Sequence, residues 1–216
     1  MITSVISVAV LTLLLGVAYP LAMTGVSQVV FPGNANGQQI KRDGRLIGSK
    51  IIGQQFTDVV LKADGQPKLD ANGGAGGVRV TPDKRYFQTR PSGTLPADNA
   101  AATAFANLGP NDLATEQALA ANAKAYLALE HPYDPGLTLS RIPVDAVDTS
   151  ASGIDPDISP ANADIQAHRI AAVRQLPLST VMSLISDHTH GRGLGFSGEP
   201  GVNVLQLNLA LNRERS

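Results

Sequence analysis

The sequence predicts an α+β (mixed α/β) soluble domain preceded by a single N-terminal transmembrane helix. Residues 1–40 carry no charged side chain, and Ile2–Val30 is dominated by Val, Ile, Leu, Ala and Met. Three later segments show helical periodicity between Pro- and Gly-rich breaks, while residues 205–211 alternate Leu with Gln206, Asn208 and Ala210. Helices and strands mixed without regular βαβ repeats indicate α+β. The expected organisation is an anchor helix over residues 1–30, a linker over 31–45 and one soluble α/β domain over 46–216.

The anchor is longer than the roughly 20 residues a helix needs to cross about 30 Å of hydrocarbon. A cleaved signal peptide wants a basic n-region and a short apolar core. Here nothing basic precedes the core, and apolar residues continue past Gly16 and Ala18 through Val30. A retained anchor is therefore expected. Ala18, Ala22 and Gly25 fall at i, i+4 and i+7, a stripe of small side chains that lets a partner helix approach closely in lipid. Pro20 removes a backbone hydrogen bond in mid-span and predicts a kink. Lys41, Arg42 and Arg45 follow the span, which weakly favours a cytoplasmic C-terminal domain, although long domains translocate largely regardless of charge.

The rest of the chain is large enough to bury a core without staples, and cysteine is absent. A net charge of −1 with interspersed signs excludes a basic nucleic-acid surface, and four Tyr, five Phe and no Trp offer no stacking platform. Residues 31–39 (FPGNANGQQ) read as a linker leaving the membrane. Residues 46–52 suit a short strand interrupted by Gly48, and the Gly73–Gly77 run reads as a flexible loop. Asn111 or Asp112 can cap a helix over Leu113–Glu130 with Leu119, Ala123, Tyr126 and Leu127 on one face. Ser159-Pro160 is an N-cap followed by Pro at the first helical position, with Ala161, Ile165, Ala172 and Leu176 as the buried side. Val181, Leu184 and Ile185 mark another helix opening at Pro177 or Ser179. Residues 205–211 read as a half-buried strand of period two.

Catalytic signals are weak. Gly191-Arg192-Gly193-Leu194-Gly195 follows a helix and precedes a strand, the reverse of a dinucleotide fingerprint, and no P-loop sequence occurs. His188 and His190, with Asp187 or Glu199 nearby, suggest a metal site in no recognised spacing, and Asp155 and Asp157 with Asp145 or Asp148 suggest an acid pair or cation site. His188, His190 and Glu199 keep open an alternative, a membrane-anchored extracytoplasmic hydrolase or metal-binding domain. His168 reads as a core histidine. Asp155-Pro156-Asp157 leads into a helix N-terminus, where carboxylates cap backbone donors. Ser92 and Ser152 lack a nucleophile elbow.

An ordered series of strings nevertheless runs from end to end. It comprises Ala18-Tyr19-Pro20-Leu21, Gly48-Ser49, Ile52-Gly53-Gln54 with Phe56, Tyr86-Phe87, Arg90-Pro91-Ser92 and Asn107-Leu108-Gly109-Pro110. It continues through Ser152-Gly153-Ile154-Asp155-Pro156, Ile158-Ser159-Pro160, Gln166 with Arg169, His188-Thr189, Gly191-Arg192, Gly198-Glu199-Pro200, Val202-Asn203-Val204-Leu205 and Leu207-Asn208. In these the chain resembles the C subunit of the Kdp-type potassium-transporting ATPase. It departs at Thr103-Ala104-Phe105-Ala106, where the family has a Ser/Gly-rich run. It departs also at Asp157, where His is common, at His190, where Glu is usual, and at Gly201, often Arg.

The resemblance implies a non-catalytic subunit of the cell (inner) membrane, single-pass, with its C-terminal domain extracytoplasmic. Its implied partners are a channel-like potassium-binding subunit and a P-type ATPase subunit, in a complex that hydrolyses ATP to import potassium. It further implies a catalytic chaperone that raises the pump subunit's ATP affinity, with no tightly bound cofactor and ATP engaged through the complex. No Asp-Lys-Thr-Gly phosphorylation sequence is present. The expected contact residues are Ala18, Ala22 and Gly25 in the membrane. In the domain, Ser152, Gly153, Asp155, Pro156, Ser159, Pro160, Gln166, Arg169, Glu199, Pro200 and Asn203 are the expected docking or ordering elements.

Overall fold

The computed structural model describes residues 2–68, 79–94, 97–99, 101, 109 and 111–214. The Gly73–Gly77 run, the departing residues 103–106 and all of the Asn107-Leu108-Gly109-Pro110 string except Gly109 lie outside the described residues. The chain divides into two compact units, Met1–Ile51 and Ile52–Ser216.

In the first unit, α1 (Ile2–Leu13) and α2 (Tyr19–Val30) are joined by one π-helical turn over Leu14–Ala18. Together they form one apolar helix of 29 residues with a mean hydropathy of 2.3 in its best window. At 1.5 Å per residue it is about 43 Å long, ample for a bilayer. Just before Pro20, where a kink is expected, lies this wide turn, in which the Tyr19 N–H donates to the Leu14 carbonyl five residues back. Pro20 has no N–H to donate, and its ring crowds the carbonyl of the preceding turn; widening that turn relieves the clash. The stretch leaving the helix carries a helical turn, α3 (Pro32–Ala35), then a hairpin of β1 (Gln39–Arg42) and β2 (Arg45–Ser49). Asp43-Gly44 closes the hairpin with φ of 50° and 76°, the positive pair a two-residue turn requires.

The second unit holds two small antiparallel sheets. β3 (Thr57–Val59) pairs with β4 (Val80–Pro82), and β5 (Asp157–Ile158), β7 (Gly201–Asn203) and β6 (Thr189–His190) lie in that spatial order. Helices α4 (Leu113–Glu130), α5 (Pro160–Arg174), α6 (Leu178–Asp187) and α7 (Val204–Leu211) complete it. The core joins Ile158 and Val202 of the sheet to Ala163, Ala167 and Ile170 of α5, Val181 and Ile185 of α6, Val204, Leu207 and Leu211 of α7, and Phe87. Of the two expected cap candidates, Asn111 and Asp112, it is Asp112 that caps α4, accepting from the Ala114 N–H at 2.7 Å.

Three expectations are corrected. Residues 205–211 form α7, not a strand. Val204, Leu207, Asn208 and Leu211 stand at i, i+3, i+4 and i+7 and are all buried, so the polar Asn208 belongs to the inner face and hides the helical period. On α5, Ile165 is buried, but Ala161 and Ala172 are exposed; the inward face is instead Asn162, Ala163, Gln166, Ala167, Arg169 and Ile170. His168 is exposed rather than in the core.

Candidate functional site

The motif residues of the domain converge on two connected arrangements. The first is the turn over residues 152–160. Gly153 adopts φ 72°, and its carbonyl accepts from the Ser92 hydroxyl at 2.8 Å and the Gly93 N–H at 3.0 Å. The Gly53 N–H donates to the Ile154 carbonyl at 2.8 Å, and a Cβ on Gly53 would lie 2.7 Å from the Asp155 carbonyl oxygen. Glycine is thus required at 53 for backbone to meet backbone. Asp155 accepts from the Asp157 N–H and forms an ion pair of 3.3 Å with Arg90, whose other nitrogen donates to the Thr149 carbonyl. Strings around residues 53, 90–92 and 152–156, remote in sequence, form one knot.

From there the Pro156 carbonyl accepts from the Val204 N–H at 3.0 Å. Ser159 caps α5 by accepting from the Asn162 N–H, and Pro160 occupies the first helical position. Asp145 reinforces the cap by accepting from the Ser159 N–H at 2.8 Å, its hydroxyl at 2.7 Å and the Asn162 amide at 2.9 Å.

The second arrangement surrounds residues 84–88, an irregular segment held by side chains that stand in for a neighbouring strand. Gln166 accepts from the Gln88 N–H at 2.7 Å and donates to the Gln88 carbonyl at 3.1 Å. Asn208 treats Phe87 in the same two-handed way, both bonds at 2.9 Å. Arg169 donates to the Lys84 and Tyr86 carbonyls at 2.6 and 2.9 Å. Its charge is met by Glu130 at 2.9 Å; the two side chains are 0% and 1% exposed. Burial pushes the Glu130 carboxyl up from its ordinary range, opposed by the Arg169 charge. Burial likewise pushes up the Tyr126 phenol, whose hydroxyl donates to Asn162 at 2.8 Å. Gln166 and Arg169 are thus ordering residues turned inward. Glu130, Asn162, Asn208 and Asp145 belong to the same network, and the sequence does not mark them as ordering residues, because a polar side chain reads as solvated until its partner is known.

The Glu199, Pro200 and Asn203 segment leads into α7. Asn203 caps that helix by accepting from the Gln206 N–H, and its amide donates to Asp157 at 3.0 Å. Asp157 also stands 3.6 Å from the His190 ring, and a Cβ on Gly201 would lie 2.8 Å from that ring. Asp157, His190 and Gly201 are therefore mutual neighbours. Acid and imidazole sit on β5 and β6, the two strands that flank β7, and Gly201 of β7 leaves room for the ring between them. Burial raises the Asp157 carboxyl, opposed by the Asn203 hydrogen bond and His190.

Glu199 forms an exposed ion pair of 2.7 Å with Arg192, and the His188 Nδ1 meets the Leu184 carbonyl at 2.8 Å. Among the described residues no group of three or more His, Cys, Asp or Glu is placed to hold a metal. In the first unit Ala18, Ala22 and Gly25 are all exposed, and a Cβ on Gly25 would meet nothing within 4 Å.

An apolar helix long enough to cross a bilayer is carried on the same chain as an α+β body whose motif residues are tied into internal hydrogen bonds, an architecture that suits a membrane subunit. The family model described as "KdpC: K+-transporting ATPase, c chain" matches residues 1–213, and the chain belongs to this family. It is 47% identical to a potassium-transporting ATPase KdpC subunit of Methylibium petroleiphilum, over 95% of this chain and 92% of that protein. The corresponding subunit of Streptomyces avermitilis is 42% identical over 95% of this chain and 89% of its own length. That of Mycobacterium tuberculosis is 44% identical over 94% and 93%.

Proposed function

We propose that the chain is the accessory, non-catalytic subunit of an ATP-driven potassium import complex. It assembles with a channel-like potassium-binding subunit and a P-type ATPase subunit through its membrane helix, with the domain on the extracytoplasmic side. The carrying observation is the helix itself: 29 residues, apolar, with none of its best window buried against the rest of the chain. Such a helix needs lipid or other helices around it, and the small stripe of Ala18, Ala22 and Gly25 suits close helix packing. One apolar helix supplies neither carbonyls nor charges facing a cavity, so the ion path belongs to the partners.

The chaperone role follows from differential contact. A domain held outside the cytoplasm reaches ATP only by binding one conformation of the pump more tightly than another, which shifts the pump's apparent nucleotide affinity. ATP then engages the complex through the pump subunit, and this chain needs no bound cofactor.

Co-expression of the three subunits and affinity capture through this chain tests the reading. Leu at Ala18, Ala22 and Gly25 together is expected to abolish capture of both larger subunits, while the wild-type chain retains them. Undiminished capture by the triple variant overturns the helix as the docking element. Complexes with and without this chain should differ in KM for ATP more than in kcat, and identical KM values overturn the chaperone role.

A further inference from the structure

The assembly network leaves one feature unused, the loop over residues 191–200 between β6 and β7. Its tip is a tight turn in which the Phe196 N–H donates to the Gly193 carbonyl at 3.2 Å and Leu194 and Gly195 occupy the two central positions with φ of 53° and 82°. Two positive φ values define a type I′ turn, whose first central position favours Asn, Asp or Gly. Leucine there is strained, since Cβ crowds the following carbonyl. The turn is nevertheless closed at its base: Gly193 and Ser197 exchange both backbone hydrogen bonds, at 2.7 and 2.8 Å, and Arg192 pairs with Glu199 beyond them. What it presents is Leu194, 90% exposed, and Phe196, 75% exposed. A residue unsuited to its backbone, held on a preorganised turn and aimed at solvent, satisfies no need of the fold.

We propose that this loop is a docking peg whose Leu194 and Phe196 enter an uncharged apolar cleft on a partner subunit of the same ATPase. The proposal rests on the assembly reading above and names the surface that reading lacks. Charge favours this occupant: residues 193–198 carry no charged side chain, and Arg192 is already neutralised by Glu199. An anionic lipid surface is recognised by uncompensated Lys and Arg, which the loop does not offer. A ten-residue loop falls far short of the roughly 800 Å² per partner that a stable interface buries, so by itself it does not hold a second copy of the chain. A peg so small adds useful affinity where another segment, the anchor, already holds the chain to the complex.

The test is subunit exchange in the detergent-solubilised three-subunit complex, with labelled wild-type chain displacing the bound one. Leu194→Asn places the preferred residue in the turn, so it should leave the melting temperature of the full chain unchanged or raised while releasing the chain faster. With Phe196→Ser added, release is expected to quicken about tenfold or more, as for loss of apolar anchors at an interface. Exchange at the wild-type rate in both variants overturns the peg while leaving the assembly reading intact. Failure of the wild-type chain to co-purify overturns both. Binding of the full chain's loop to anionic phosphatidylserine vesicles, lost in the double variant, with exchange unaffected, assigns the loop to lipid and also overturns the peg.

Discussion

Gly53 and Gly201 both face an approach of under 3 Å to any added Cβ, yet the obstacles differ. At Gly53 the obstacle is the Asp155 carbonyl, backbone fixed in the knot around residue 153; at Gly201 it is the end of the half-exposed His190 ring. Gly53→Ala is therefore expected to destabilise the domain by about 1–3 kcal/mol, the range for overpacking against a rigid neighbour. Gly201→Ala should cost under half of that, since the imidazole can swing away at the expense of its Asp157 contact. Urea unfolding midpoints of the two variants check the order. Asp157 supplies a pH signature. Its folded carboxyl is raised by burial, so the folded state holds the proton more strongly than the unfolded chain does, and the contribution to stability falls as pH rises past the ordinary carboxylate value of about 3.9. Asp157→Asn should flatten that decline, seen as a shallower loss of midpoint as pH rises above the ordinary carboxylate value.

Among the elements, α5 is held from both ends of its inward face. Asp145 and Ser159 cap its start, while Gln166 and Arg169 reach across to residues 84–88 and bind that segment to Glu130 at the end of α4. This is a polar core: it gives the 84–88 segment the hydrogen bonds a strand partner would supply, and it fixes α4 against α5. Glu130→Gln removes the negative partner and leaves the Arg169 guanidinium buried with one neutral acceptor in its place. The expected loss is about 3–5 kcal/mol, as for other broken buried pairs. Arg169→Lys is not expected to rescue it, because one ammonium cannot reach Glu130 and both the Lys84 and Tyr86 carbonyls at once. Loss of amide-exchange protection in residues 84–88 ahead of the rest of the domain is the expected sign that this network carries the segment. The same elements show why α7 deceived: a helix buried nearly all round displays leucines at both periods, and the deciding residue, Asn208, is polar and inward.

Over the whole molecule, function divides between an apolar helix and a domain that keeps most of its motif residues to itself. Ser152, Gly153, Asp155, Ser159, Gln166, Arg169 and Asn203 hold backbone or caps in place, so their substitution should lower stability and subunit retention together. Leu194 and Phe196 face solvent, and their substitution should lower retention alone. That contrast, read as melting temperature against subunit exchange across the same set of variants, separates residues that shape the domain from those that join it to the complex. The membrane stripe predicts the third pattern, loss of capture with the domain's melting temperature unchanged.

By itself the sequence determined a first helix long and apolar enough to span a membrane, the cap residue Ser159, the choice of Asn111 or Asp112 as the cap of α4, the mixed α+β class and the family, because charge-free length, capping chemistry and ordered motif strings are local properties of a chain. Tertiary structure decided the rest. That Gly53 meets Asp155, that Asn208 and Gln166 brace residues 87 and 88, that Asp157, His190 and Gly201 share one corner, and that Leu194 points outward are all matters of distant segments meeting or failing to meet. A polar side chain reads as solvated until a partner is found for it, and an apolar one reads as core until none is; one-dimensional periodicity records neither.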